Sequence, residues 1–131
     1  MTKQLAVALG LGLVTLGGGP ALAGYKESDA VSINATSRYA TGSLGGARNS
    51  ANSIEYVLLM YQASAAGSES LVVYMRSAAG QTAACFTTSP ALLAIGRSIS
   101  GDSYVSVNWD ASAKCTSLEV RATSYHPPKA L

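Results

Sequence analysis

The chain has 131 residues, a length that suits one domain, and charged residues make up 12% of it, about half the usual share. Nine basic and seven acidic residues give a net charge of only +2, which excludes a strongly basic nucleic-acid-binding protein and a highly charged disordered chain. The composition therefore predicts a small, weakly charged globular domain.

Residues 1–23 have the features of a secretory signal peptide. Lys3 supplies a positive charge near the start, an uncharged apolar run follows in residues 5–16, and residues 21–23 have the small-x-small pattern that signal peptidase accepts. The run is too short to cross a bilayer of about 30 Å as a permanent helix. We therefore expect cleavage between Ala23 and Gly24, no membrane span, and a mature domain of residues 24–131 that is secreted to the periplasm or the extracellular space.

The next predicted elements are six short strands. Apolar and polar residues alternate with the period of a half-buried strand along most of the mature chain. The strands are predicted at residues 31–36, 54–63, 71–76, 82–88, 105–109 and 116–122. Residues 54–63 are apolar on both alternating faces, which favours a central strand covered on both sides.

One helix interrupts this pattern between the fourth and fifth predicted strands. Ser89 is a suitable N-cap, Pro90 suits the first helical turn, and residues 91–95 extend the helix to Gly96. Short strands with a turn signal every 8–12 residues are typical of two packed sheets. The predicted fold class is therefore all-β, a single-domain antiparallel β-sandwich or small barrel of about six strands.

Cys85 and Cys115 are an even pair in an exported chain, which predicts a structural disulfide. A redox or metal-binding pair would have a CxxC spacing, which is absent here. The alternation places Cys115 on the same face as the charged Glu119 and Arg121. The disulfide therefore requires either a β-bulge that shifts the register or a position at an edge of the sandwich.

The glycine-rich segment 41–52 is predicted to be an exposed loop between the first two predicted strands. Arg48, Asn49 and Asn52 lie in this segment and are candidate ligand-binding residues. A flexible connection without a binding role would explain the glycines equally well.

Tyr74 and Arg76 share one face of a predicted strand. If that face is exposed, an aromatic ring beside an arginine suits a carbohydrate or a protein partner. The alternative is packing in the core, which is the usual place of strand aromatics and is the expectation for Trp109.

The sequence contains few residues of the types that catalyse reactions or bind metal ions. His126 is the one histidine, and the carboxylates have neither the spacing of a calcium loop nor that of a glycosidase pair. The sequence therefore predicts no catalytic residue, cofactor or metal site. Glu55 begins the most apolar strand, and we expect it to be exposed at the strand end.

The leading functional hypothesis is an exported, non-enzymatic module that binds a protein, a surface polymer such as a carbohydrate, or copies of itself. One alternative is a small secreted hydrolase of the ribonuclease type that uses His126, Glu55 and one of Arg48, Arg76 or Arg121. Another is an inhibitor of secreted hydrolases that presents Arg48 on an exposed loop. Asn34 begins an N-glycosylation sequon.

Overall fold

The structure, a computed structural model, describes residues 29–123 of the chain. Nine helices and strands are present in this part. They are β1 (Ser32–Asn34), β2 (Tyr39–Ser43), α1 (Leu44–Asn49), β3 (Tyr56–Ala63), β4 (Glu69–Arg76), β5 (Thr82–Thr87), α2 (Pro90–Gly96), β6 (Tyr104–Trp109) and β7 (Cys115–Arg121).

The strands form two antiparallel sheets, which confirms the predicted all-β class. One sheet has four strands in the order β1-β2-β6-β7, and the other has three in the order β3-β4-β5. Neighbouring strands in both sheets pair antiparallel. The three-stranded sheet is a meander with two short hairpin turns, in which Gly67 and Gly80 adopt the positive φ values of 82° and 81° that glycine tolerates.

The core lies between the sheets and is built from alternate residues of the strands. On β4 the inward residues Leu71, Val73 and Met75 are almost fully buried, and on β6 Val105 and Val107 are buried opposite them in the same apolar cluster. Successive side chains of a strand point to opposite faces. The register of each sheet therefore fixes which residues remain on its outer face.

The predicted disulfide is confirmed. It joins Cys85 on β5 to Cys115 on β7, with the two Cα atoms 5.1 Å apart. The strands are edges of different sheets, and the β6–β7 register shifts between Asn108 and Trp109. Both solutions to the register problem therefore apply, because a bulge turns Cys115 inward and the bond lies at an edge of the sandwich.

The prediction that residues 41–52 form an exposed loop is wrong for residues 41–49, and only residues 50–52 lie in a loop. Residues up to Ser43 continue β2, a strand that the sequence analysis did not identify, and Leu44–Asn49 form α1. The Ser43 Oγ accepts a hydrogen bond from the Gly46 N–H at 2.8 Å and caps the helix. A Cβ on Gly46 would lie 2.6 Å from the Asp29 carbonyl oxygen, so the glycine permits close packing here.

The prediction that residues 54–63 form a central strand is also wrong. β3 is an edge strand whose neighbour in the sheet is β4, and its residues are half-buried or exposed. The apolar residues on both faces therefore do not reflect burial within this chain. The predicted helix is confirmed as α2, although the Ser89 side chain makes no capping hydrogen bond.

The turn between β6 and β7 contains a carboxylate that is expected to make the stability of the protein depend on pH. The Asp110 Oδ1 accepts hydrogen bonds from the N–H groups of Lys114 at 3.0 Å and Ser112 at 2.8 Å. The Lys114 bond is the main cause that holds the pKa of Asp110 below its ordinary value. A lowered folded-state pKa adds stability above the unfolded-state pKa, and this stability is lost as the pH falls through the folded-state value.

We therefore expect Asp110→Asn to destabilise the protein at pH 7 and to have a smaller effect at about pH 2, below the ordinary range of aspartate pKa values. Urea unfolding of both proteins at the two pH values measures this difference. An equal loss of stability at both values would contradict the assignment.

Candidate functional site

The outer face of the three-stranded sheet is the most unusual surface of the described chain. The pairing of β3 with β4 and of β4 with β5 places the even-numbered residues of all three strands on this side. We call the outer face the surface formed by Tyr56, Leu58, Met60, Gln62, Ser70, Val72, Tyr74, Arg76, Thr82, Ala84 and Phe86.

The outer face exposes large apolar side chains. Leu58 is 45% exposed, Phe86 43%, Met60 40% and Tyr56 39%. A contiguous apolar surface in contact with water is unfavourable unless another molecule covers it, and such patches mark interaction sites. Arg76 is the one charged residue on this face.

The outer side of the four-stranded sheet has a different character. Ser117 on β7 donates a hydrogen bond to Asn108 on β6 at 2.9 Å, and Glu119 pairs with Arg121 at 2.6 Å. Tyr39 is the exposed large hydrophobic residue of this sheet. The outer face of the three-stranded sheet is therefore the more apolar of the two outer surfaces.

Two predicted site residues, Tyr74 and Arg76, lie together on the outer face. The rings of Tyr56 and Tyr74 stack with their centroids 5.4 Å apart and an interplanar angle of 8°, and Arg76 is directly opposite Tyr56 in the register. Desolvation and a hydrogen bond with Tyr74 raise the pKa of Tyr56. The Nε atom of Arg76 is buried and has no hydrogen-bond partner among the described residues.

The other three predicted site residues lie in and after α1. An Arg48 guanidinium nitrogen donates to the Gly101 carbonyl oxygen at 2.9 Å, and the side chain is exposed. Asn49 is also exposed at the end of this helix. Asn52 has a structural contact, because its amide nitrogen donates to the Ala78 carbonyl oxygen at 2.9 Å.

Glu55 is buried, so the expectation of an exposed strand end is wrong. One carboxylate oxygen accepts a hydrogen bond from the Val31 N–H and the other accepts one from the Ser50 Oγ at 2.5 Å. These contacts explain the burial of a charged group. They also give Glu55 a structural role that the hydrolase hypothesis did not consider.

The second partner of the hydrolase hypothesis, His126, lies outside the described residues. Within residues 29–123, no three His, Cys, Asp or Glu side chains are close enough together to hold a metal ion. Neither helix of the described part is long and apolar enough to cross a membrane. Asn34 is exposed, and its Oδ1 accepts a hydrogen bond from the Ser37 N–H at 2.9 Å.

An apolar groove runs beside the free edge of β3. Its volume is about 480 Å³. It is lined by Val57, Leu58, Leu59 and Tyr61 of β3 and by Leu44, Gly96, Arg97 and Ile99 of the facing segments, so that Arg97 is its one charged residue. We call this the edge groove. The Tyr61 hydroxyl lies 1.9 Å from the position that a Cβ on Gly96 would occupy, so the glycine leaves the room that this ring fills.

The sequence suggested Tyr74 and Arg76 as candidate binding residues but did not indicate the larger apolar surface around them. Leu58, Met60 and Phe86 were part of strands whose apolar residues suggested burial. The available indication was that residues 54–63 are apolar on both faces. This pattern is consistent with a covered strand and equally with a strand whose apolar face is exposed. Comparison of the chain with protein-family models, curated proteins and solved structures finds no match.

Proposed function

We propose that this chain is an exported, non-enzymatic β-sandwich module that binds a protein partner through the outer face of its three-stranded sheet. The observation that carries this proposal is the exposure of Leu58, Met60 and Phe86 on one continuous surface. Burial of apolar surface is the main favourable contribution to protein association. A partner that covers this face would therefore gain free energy without any rearrangement of the sandwich.

The chemistry of the outer face favours a protein over a carbohydrate. Tyr56 and Tyr74 stack on each other, so each ring covers one face of its neighbour that a sugar ring would otherwise contact. The middle of the face is apolar, and its other hydrogen-bonding side chains, Gln62, Ser70, Arg76 and Thr82, lie at the two ends of the strands. Arg76 adds a positive charge, which suits a partner with an apolar surface and a carboxylate near its rim.

Two features support export, namely the predicted signal peptide and the disulfide. The predicted signal peptide of residues 1–23 directs the chain out of the cytoplasm, to the periplasm or the extracellular space. The disulfide between Cys85 and Cys115 suits an oxidising compartment of this kind.

A capture experiment with a double variant tests the proposed face. The purified protein is used as bait for exported proteins from its native source, in parallel with Leu58→Ser/Phe86→Ser. We expect the double variant to lose at least about tenfold of the recovered partner, since loss of a large apolar contact commonly costs about 1–3 kcal/mol.

Tyr39→Ser is the matched control, because Tyr39 is an exposed aromatic residue on the opposite sheet. It is expected to recover the same partner in the same amount as the unchanged protein. Circular dichroism of all three proteins verifies that they are folded. Equal recovery by the double variant and the control would refute binding through the outer face.

A further inference from the structure

The free edge of β3 has backbone groups without partners. In the hairpin after β3, the Ser64 N–H donates to the Ser68 carbonyl oxygen at 2.9 Å. Hydrogen-bonded pairs alternate along an antiparallel ladder, so the even-numbered residues of β3 bond to β4. Val57, Leu59 and Tyr61 therefore direct their N–H and C=O groups away from the sheet. No backbone partner for them occurs within residues 29–123.

The second hairpin supports the same alternation. The Ser77 N–H donates to the Gln81 carbonyl oxygen at 2.9 Å, which places the β4–β5 bonds on odd-numbered residues of β4. The even-numbered residues of β4 are thus left for β3, in agreement with the first hairpin. Both hairpins therefore assign the odd-numbered residues of β3 to the open edge.

The other three edge strands are protected. β1 has three residues, and short edges pair poorly with other chains. The edge of β5 that faces away from β4 is partly covered, because the Phe86 N–H donates to the Ala113 carbonyl oxygen at 3.0 Å. β7 has the exposed ion pair between Glu119 and Arg121. β3 has eight residues, and none of them is charged or a proline.

The pattern of β3 is compatible with itself in an antiparallel pair. Hydrogen bonds across the open edge require odd-numbered residues to face odd-numbered residues. A two-fold axis at Leu59 or at Met60 meets this requirement. In both cases the even-numbered apolar residues of the two copies remain on one side, and the two outer faces join into one surface.

Geometry favours the antiparallel arrangement of two copies. Two chains that pair antiparallel through the same edge are related by a two-fold axis perpendicular to the sheet, so both outer faces stay on one side. A parallel pair through this edge would need a two-fold axis along the strands and would place the two outer faces on opposite sides.

The edge groove supplies space on the inner side of such a pair. It lies next to Val57, Leu59 and Tyr61, which are the residues with free backbone groups. A strand added to β3 would place its own inward side chains over this groove. In the two-fold pair these side chains would be Val57, Leu59 and Tyr61 of the second copy, which suit a lining that is apolar apart from Arg97.

We propose that two copies of this chain associate through antiparallel pairing of β3 with β3, which forms a continuous six-stranded sheet. This dimer uses the strand edge and the edge groove. The partner proposed above uses the outer face instead, so either proposal can fail without the other.

Charge variants at Met60 test the dimer. Met60 is 40% exposed, so Met60→Lys and Met60→Glu are both tolerated by the monomer. With the axis at Met60 the two copies of residue 60 face each other directly, and with the axis at Leu59 they are diagonal neighbours on the same side of the sheet. We expect the unchanged protein to be a dimer, each variant alone to be a monomer because of like-charge repulsion, and an equal mixture of the two variants to form a dimer again. Sedimentation velocity of the purified proteins measures all four samples.

A proline variant tests the backbone contribution separately. Leu59→Pro removes an N–H at the open edge and leaves the bonds to β4 intact, whereas Leu59→Ala keeps that N–H. We expect the proline variant to weaken dimerisation at least about tenfold more than the alanine variant, as loss of paired backbone hydrogen bonds implies.

Two results would overturn the dimer. The first is an unchanged protein that is monomeric at millimolar concentration, and the second is a mixture of the Met60 variants that stays monomeric while each variant is folded. Neither result affects partner capture through Leu58 and Phe86, so failure of the dimer is distinguishable from failure of the proposed function.

Discussion

The double substitution Cys85→Ala/Cys115→Ala is expected to lower the free energy of unfolding by about 3–4 kcal/mol. The disulfide joins residues 30 apart in the sequence, and closure of a loop of this length restricts the unfolded chain by about that amount in the chain-entropy model. A domain of this size has only about 5–15 kcal/mol of stability in total. Urea unfolding of the oxidised protein and of the double variant measures the loss.

Reduction of the unchanged protein provides the comparison for this variant. Its free energy of unfolding in the presence of a thiol reductant should fall by a similar amount, since the same covalent link is absent. A double variant whose stability lies within about 1 kcal/mol of the oxidised protein would show that the link contributes less than the chain-entropy model requires.

Glu55→Ala is expected to lower the free energy of unfolding by about 2–3 kcal/mol. The carboxylate accepts hydrogen bonds from the Val31 N–H and the Ser50 Oγ, and its removal leaves a buried donor without an acceptor. The Val31 contact joins the segment before β1 to the start of β3, so the loss affects the packing of the two sheets. Urea unfolding at pH 7 measures the effect.

Two controls separate this contribution from a general effect of removing a carboxylate. Glu55→Gln keeps an oxygen acceptor for the Val31 N–H and is expected to lose less stability than Glu55→Ala. Glu69→Ala removes a carboxylate from the exposed ion pair with Arg97 and is expected to cost less than about 1 kcal/mol. Equal losses for Glu55→Ala and Glu69→Ala would contradict the role of Glu55.

The local pattern of the sequence was sufficient for much of the sandwich. The alternation at β4 to β7, the Pro90 start of α2 and the pairing of Cys85 with Cys115 all depend on short-range signals or on simple counting. These features are determined by side-chain periodicity and by the steric properties of proline. The sequence therefore predicted the sheet class and the covalent link correctly.

The loop prediction for residues 41–52 relied on local propensity. The glycines at positions 42, 45 and 46 have low helix and strand propensities, so a loop was the natural expectation. In the structure, Gly46 lies so close to the Asp29 carbonyl oxygen that a side chain would not fit. This requirement comes from a tertiary contact, which propensity alone does not contain.

The prediction that β3 is a central strand was wrong for a different reason. Periodicity shows which residues share a face, but it does not show whether a second sheet or another molecule covers that face. Leu58 and Met60 are apolar without being buried in their own chain. The same limit applies to Glu55, whose carboxylate is buried against the Val31 N–H, a group 24 residues earlier in the sequence.

The position of the disulfide also determines how the protein responds to mechanical force. A pull on the two ends of the chain passes through the bond between Cys85 and Cys115 and bypasses the segment between them, which contains α2 and β6. The oxidised chain therefore extends by about 100 Å less than the reduced chain, because about 30 residues at roughly 3.4 Å each stay outside the load path. The bond thus shields β6, one of the two inner strands of the four-stranded sheet, from direct tension.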